Sequence, residues 1–197
     1  MSSVTQNGGA LSATITNLYY ENSVASEAGA ATGEQIWFAV QTRSRHEKKV
    51  NSALLEKGIE SFLPLHREKR RWSDRHQWVE LPLFTQYLFV RMPSSAQTRA
   101  LVLQTPGVLQ FVGISGRGIP IPNEQIESLQ AILAQRIPVL PHEFLKVGKR
   151  VRIRGGALDG IEGVLSAIRN DKSLVVSVDL IQKSVAIQIE GYQIDPV

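Results

Sequence analysis

Residues 146–189, KVGKRVRIRGGALDGIEGVLSAIRNDKSLVVSVDLIQKSVAIQI, decide what kind of fold closes this chain. Apolar residues alternate along Val151 and Ile153, return at Val164, and alternate again along Val176, Val178 and Leu180, the period-two pattern of half-buried strands. Glycines punctuate these runs. Gly155-Gly156, and Gly160 to Gly163, fall where the chain must turn, and glycine tolerates the positive φ that turns demand. Several short strands in so short a span imply a small closed barrel. Val151, Ile153, Val175, Val176, Val178, Val185 and Ile187 are β-branched and favour strand over helix, which predicts a barrel that stays a barrel.

Working back from the barrel, Ile137-Pro138-Val139-Leu140-Pro141-His142 is short and proline-punctuated, and reads as an interdomain linker. Before it the spacing predicts a helix over EQIESLQAILAQR, capped by Asn123, with Ile126, Leu129, Ile132 and Leu133 on one face. VLQFVG is a strand after Thr105-Pro106-Gly107, and Ser94-Ser95 caps a helix running to about Leu103. Phe84 to Met92 is the most apolar strand, framed by Pro82 and Pro93. IESFLPLHREKRRW and WVELPLF pair as a long hairpin around a polar tip, SDRHQ. HEKKVNSALLEKG is a helix that packs Val50, Ala53 and Leu54, exposes Glu47, Lys48, Asn51 and Glu56, and ends at Gly58. IWFAVQT, from Ile36, opens the structure as a β-prone run. The mixture of hairpins and helices predicts an α+β domain, a mainly antiparallel sheet flanked by helices, followed by the barrel. The boundaries are a tail over 1–34, a first domain over 35–136, a linker over 137–145 and the barrel over 146–197.

Composition narrows the function. The 197 residues include no cysteine, so disulfides, thiolate catalysis and cysteine-ligated metal centres are excluded. No run approaches the ~18 apolar residues of a membrane span, and no basic segment precedes an apolar run at the N-terminus. A soluble cytoplasmic protein with no membrane partner is expected. The Ser, Thr, Gly and Ala-rich first 35 residues carry three glutamates and no basic residue. The rest therefore holds 22 basic against 15 acidic residues, a net of +7 that favours polyanions or acidic protein surfaces. His46, His66, His76 and His142 lack metal-ligand spacing, no nucleophile signature occurs, and GISGRGIP and IRGGALDG lack the Gly-Lys-Ser/Thr ending of a phosphate loop. Neither catalysis nor a cofactor or metal is expected.

Five separated segments carry a family resemblance. Trp37-Phe38-Ala39-Val40, Pro82-Leu83-Phe84 leading into Tyr87-Leu88-Phe89-Val90, and Thr105-Pro106-Gly107-Val108 before Phe111-Val112-Gly113 resemble the N-terminal domain of NusG-type transcription elongation factors. Ile121-Pro122 ahead of the last helix, and a KOW motif centred on Val151 to Leu165, complete the order. Trp72-Ser73-Asp74-Arg75 and the Pro-Leu-Phe sequence look closer to specialised RfaH-like antiterminators, including those of polysaccharide operons, than to the housekeeping factor. Thr85-Gln86 departs from the family's usual Phe-Pro-Gly-Tyr, and Gln41 replaces an aromatic after the first strand.

The resemblance implies control of transcription without chemistry. The clamp helices of the largest RNA polymerase subunit would dock in an apolar depression whose counterparts here are Phe84, Tyr87, Phe89, Ile114 and Leu129, with Phe84 and Tyr87 expected to be partly exposed. The non-template DNA strand would meet a basic set of Arg43, Arg45, Lys49, Arg70, Arg71 and Arg75, with Trp72 interleaved to stack on a base. Ile161, Leu180 and Ile181 occupy the barrel face that would contact ribosomal protein S10 or Rho. The competing reading is a ribosome-associated or RNA-binding protein that shares the barrel alone; separately, the depression residues, Leu129 and Phe89 above all, can be read as ordinary core.

Overall fold

The computed structural model describes residues 33–71, 76–135, 139–142, 148–168, 171–189 and 192–197. The tail over 1–32 and the hairpin tip, including Trp72 and Arg75, lie outside the described residues. The fold is α+β. Its first sheet runs β2 (Glu60–Phe62), β5 (Tyr87–Pro93), β1 (Gln35–Thr42), β6 (Val108–Phe111), and β7 (Pro120–Ile121) also pairs with β1. Every pairing is antiparallel.

Alternation along β1 and β5 builds two cores from one sheet. Phe38, Val40, Leu88, Val90 and Met92 turn to one face, where α1 (Glu47–Glu56) brings Val50 and Leu54, and α2 (Ala96–Leu103) brings Val102. Trp37, Ala39 and Phe89 turn to the other, with Phe62, Phe84 and Ile121, beneath α3 (Asn123–Ala134). Helix ends follow their local chemistry. The Ser95 hydroxyl accepts a hydrogen bond from the Thr98 N–H at 3.1 Å, satisfying a donor that the first turn of α2 leaves open. Asn123, expected as a cap, is instead the first helical residue of α3, and Pro122 holds the capping position without a side-chain bond. Gly107 sits at φ 101, where a Cβ would lie 2.9 Å from Val50 Cγ2, so both conformation and space call for glycine.

β3 (Leu65–Arg71) and β4 (His76–Pro82) form the hairpin, a separate two-stranded ladder. The second large sheet runs β13 (Gln193–Pro196), β9 (Lys149–Arg154), β10 (Glu162–Ile168), β11 (Asp171–Val178), β12 (Lys183–Gln188), β8 (Val139–His142). Gly163 permits the close approach of β10 to β11, since a Cβ there would stand 2.5 Å from Val175 O. Two expectations change here. The ladder ends at β13 and β8, so among the described residues it is an open barrel rather than a closed one. Val139–His142, expected as linker, is an end strand paired with β12.

The two sheets share α3. Its buried Ile126, Leu129 and Ile132 belong to one continuous apolar cluster with Phe89 on one side and Leu158, Ile161, Leu174 and Ile181 of the barrel on the other.

Candidate functional site

The apolar residues singled out in the sequence separate by depth. Trp37, Phe62, Phe89 and Phe84 form a chain of ring contacts, with centroids 6.4, 6.1 and 6.2 Å apart in turn. Phe89 is 0% exposed and Leu129 and Phe84 are buried with it, so the partial exposure expected of Phe84 is not found. Tyr87, at the end of the same face, is half-buried against this cluster. Ile114 is 58% exposed on the Gly113–Gly118 loop that follows β6. Of the five residues expected to line one depression, Tyr87 and Ile114 reach the surface. Gln41 lies opposite Tyr87 on one side and Gln110 on the other, and accepts a hydrogen bond from Gln110 Nε2 at 3.0 Å, which gives this edge a polar floor.

The turn carrying these residues explains the departure at Thr85-Gln86. Gln86 takes φ 70, a left-handed conformation that costs a side-chain-bearing residue on the order of 1–2 kcal/mol. Its N–H donates to Glu47 Oε1 at 2.8 Å, and its carbonyl accepts from the Thr42 N–H at 2.8 Å. Glu47, expected on the exposed side of α1, is only 4% exposed because its carboxylate holds this turn. Helical periodicity alone could not locate that partner, 39 residues away.

On the hairpin, register sorts the charges. Lys69 lies opposite Trp78, Arg71 opposite His76, and Arg67 opposite Glu80, so these six residues occupy one face. His66, Glu68, Arg70, Gln77, Val79 and Leu81 occupy the other. Arg70 thus parts from Arg71: it pairs with Glu68 at 3.4 Å and lines a cleft with Arg45, Lys48 and His66 between the hairpin and α1. Lys48 spans the base of the hairpin, its Nζ donating to Glu80 O at 2.7 Å. Arg43, Arg45 and Lys49 are all exposed around the start of α1. Among the described residues, Trp78 is the aromatic that stands in solvent, 65% exposed and not singled out by sequence.

On the barrel, Ile161 and Ile181 are buried and Leu180 half-buried. Gln125 of α3 and Asp179 form a reciprocal pair beside them. Gln125 Nε2 donates to Asp179 Oδ2 at 3.2 Å, and the Asp179 N–H donates to Gln125 Oε1 at 3.3 Å. Asp195, hydrogen-bonded to Arg154 at 2.8 Å and attracting its charge, raises that guanidinium's pKa, so Arg154 remains cationic at any working pH. Among the described residues no three His, Asp or Glu side chains gather as metal ligands, and no helix is long and apolar enough to cross a membrane.

Residues 35–130 match the family described as "Transcription termination factor nusG". A Lactococcus lactis protein, "Transcription termination/antitermination protein NusG", is 28% identical over 176 residues, covering 83% of this chain and 94% of its own length. Its namesake from Borreliella burgdorferi is 26% identical over 181 residues, covering 82% and 98%. The structure titled "Domain interaction in Thermotoga maritima NusG" covers 82% of this chain and all of its own, at 22% identity and a TM-score of 0.49.

Proposed function

We propose that this chain, whose residues 35–130 match the NusG family, is a transcription elongation factor which grips RNA polymerase through the apolar edge of its first sheet. The observation that carries this reading is Tyr87, a half-buried aromatic that packs on the ring cluster at the end of β5 and still reaches the surface. A half-buried aromatic rooted in a core and open to solvent is the kind of residue that anchors an interface. The partner is the clamp-helix pair of the largest polymerase subunit, and Phe84, Phe89 and Leu129 act beneath that surface as its support. The hairpin and the start of α1 meet the non-template DNA strand. The barrel recruits ribosomal protein S10 or Rho through Ile161, Leu180 and Ile181, and to present Ile161 and Ile181 it must part from whatever now covers them. The Pro82-Leu83-Phe84 sequence supports a specialised antiterminator over a housekeeping factor.

The test is binding of the full chain to a reconstituted elongation complex. Tyr87→Ala with Ile114→Ser is expected to weaken binding about tenfold or more, as loss of an interface anchor does, while the protein melts as the parent does. Deleting the clamp helices is expected to abolish binding. Unchanged affinity in both cases would overturn the reading in favour of a ribosome- or RNA-binding role for the barrel.

A further inference from the structure

The end strand β8 belongs to the barrel by pairing and to the interdomain connection by position. It follows α3 after four residues and precedes β9 by six. Its register sets Val139 opposite Ile187, Leu140 opposite Ala186, Pro141 opposite Val185 and His142 opposite Ser184. The hold is small. Alternate residues of an antiparallel pair exchange backbone hydrogen bonds, so at most two of the four residues of β8 bond to β12. On its other side β12 is paired along all six of its residues by β11. Pro141 has no N–H to give, and Pro138 brings none to a longer strand. An apolar anchor is Val139, 6% exposed and part of the cluster that joins α3 to the barrel, whereas Pro141 is exposed.

What β8 sets is the length of a tether. With β8 in place, four residues separate the end of α3 from the barrel, a span of at most about 17 Å. With β8 unpaired the connection is 135–148, fourteen residues spanning at most about 50 Å. The contact at stake buries Leu129 of α3 in one cluster with Ile161 and Ile181, beside the reciprocal bonds of Gln125 and Asp179. The local concentration of two tethered partners falls roughly as the −3/2 power of tether length, so going from four to fourteen residues lowers it about sixfold.

We propose that β8 is a releasable strap: paired with β12 it keeps the barrel against α3, and unpaired it frees the barrel to leave and bare Ile161 and Ile181. The barrel stays folded through the exchange, because β9 to β13 keep their own ladder. The strap rests on the reading above for what parting achieves, the presentation of that face to a partner. Its release is a property of this chain alone and needs no partner to be measured.

Single-molecule energy transfer in the full chain decides it. The chain has no cysteine, so dyes attach only at Glu56→Cys on α1 and Gln193→Cys on β13, both exposed positions. Inserting ten Gly/Ser residues after Gln135 lengthens the tether to fourteen and leaves β8 intact, and the open-to-closed ratio should rise about sixfold. Val139→Asp removes the anchor and should raise the ratio at least as far, with the amides of β10 and β11 as protected from exchange as in the parent; Val139→Ser should move it the same way. The two changes together should add only about a further twofold to Val139→Asp, since both lengthen one tether. A ratio that neither change moves would overturn the strap. So would a rise with Val139→Asp that the insertion does not share, which makes Val139 plain packing, or a rise with the insertion alone, which leaves β8 without a part in the opening. A chain whose domains part on release of β8 but which ignores the elongation complex would sink the polymerase reading and leave this one standing.

Discussion

Phe89 and Trp78 are both aromatic residues in the interior of antiparallel strands, yet one is wholly buried and the other stands in solvent. The difference lies in what backs them. β5 is flanked by β1 and β2 and lies under α3, so its side chains meet a second layer. β4 has one neighbour and no third strand. An aromatic side chain in the first setting contributes to folding, and in the second it is available to a ligand. The comparison assigns stability and binding to different parts of the same N-terminal half.

The contrast breaks most readily at its buried end. Phe89→Ala removes a fully buried ring that touches Phe62 and Phe84, and should cost about 3–5 kcal/mol in urea unfolding; a loss under 1 kcal/mol would mean that the ring cluster is not the core it forms here. Glu47→Ala strips the acceptor from the Gln86 N–H, and the expected loss is about 1.5–3 kcal/mol, the range for a hydrogen bond to a charged group. Gln86→Gly moves the other way. It relieves a left-handed backbone at φ 70, and the gain, net of the extra freedom of the unfolded chain, should be about 0.5–1 kcal/mol, visible as a higher urea midpoint at constant slope. Trp78→Ala closes the series at the exposed end, with stability expected to stay within about 0.5 kcal/mol of the parent. A large loss there would show the hairpin ring to be structural and erase the distinction.

Much of this architecture can be read from residue order, because periodicity reports local structure. β1, the hairpin, α1, α2 and α3 follow from runs such as Trp37 to Val40 and the spacing of Ile126, Leu129 and Ile132. The misreadings have physical causes. Pro138 and Pro141 made 137–142 look like linker, yet an end strand tolerates proline, and β8 is an end strand. Glu47 has the chemistry of a solvated helical residue and is buried only because Gln86 arrives from a distant turn. Apolar residues look alike whether they fill a core or await a partner, so Phe84, Phe89 and Leu129 could not be told from Tyr87 and Ile114 by pattern. Pattern does not single out Trp78 or part Arg70 from Arg71, because a two-stranded ribbon has polar residues on both faces. Only the pairing of Lys69 with Trp78 reveals which side each charge takes.

The open ladder of the second sheet has a consequence for how these molecules behave in a crowd. An unpaired strand edge is a template on which another chain can build, and such growth leads to fibres. On β13 the N–H of Val197 turns inward to Arg150 O at 3.2 Å, so the neighbouring nitrogen, that of Pro196, points outward. It carries no hydrogen. A strand arriving at that edge finds a missing rung at its start, which makes β13 a poorer template for a second copy.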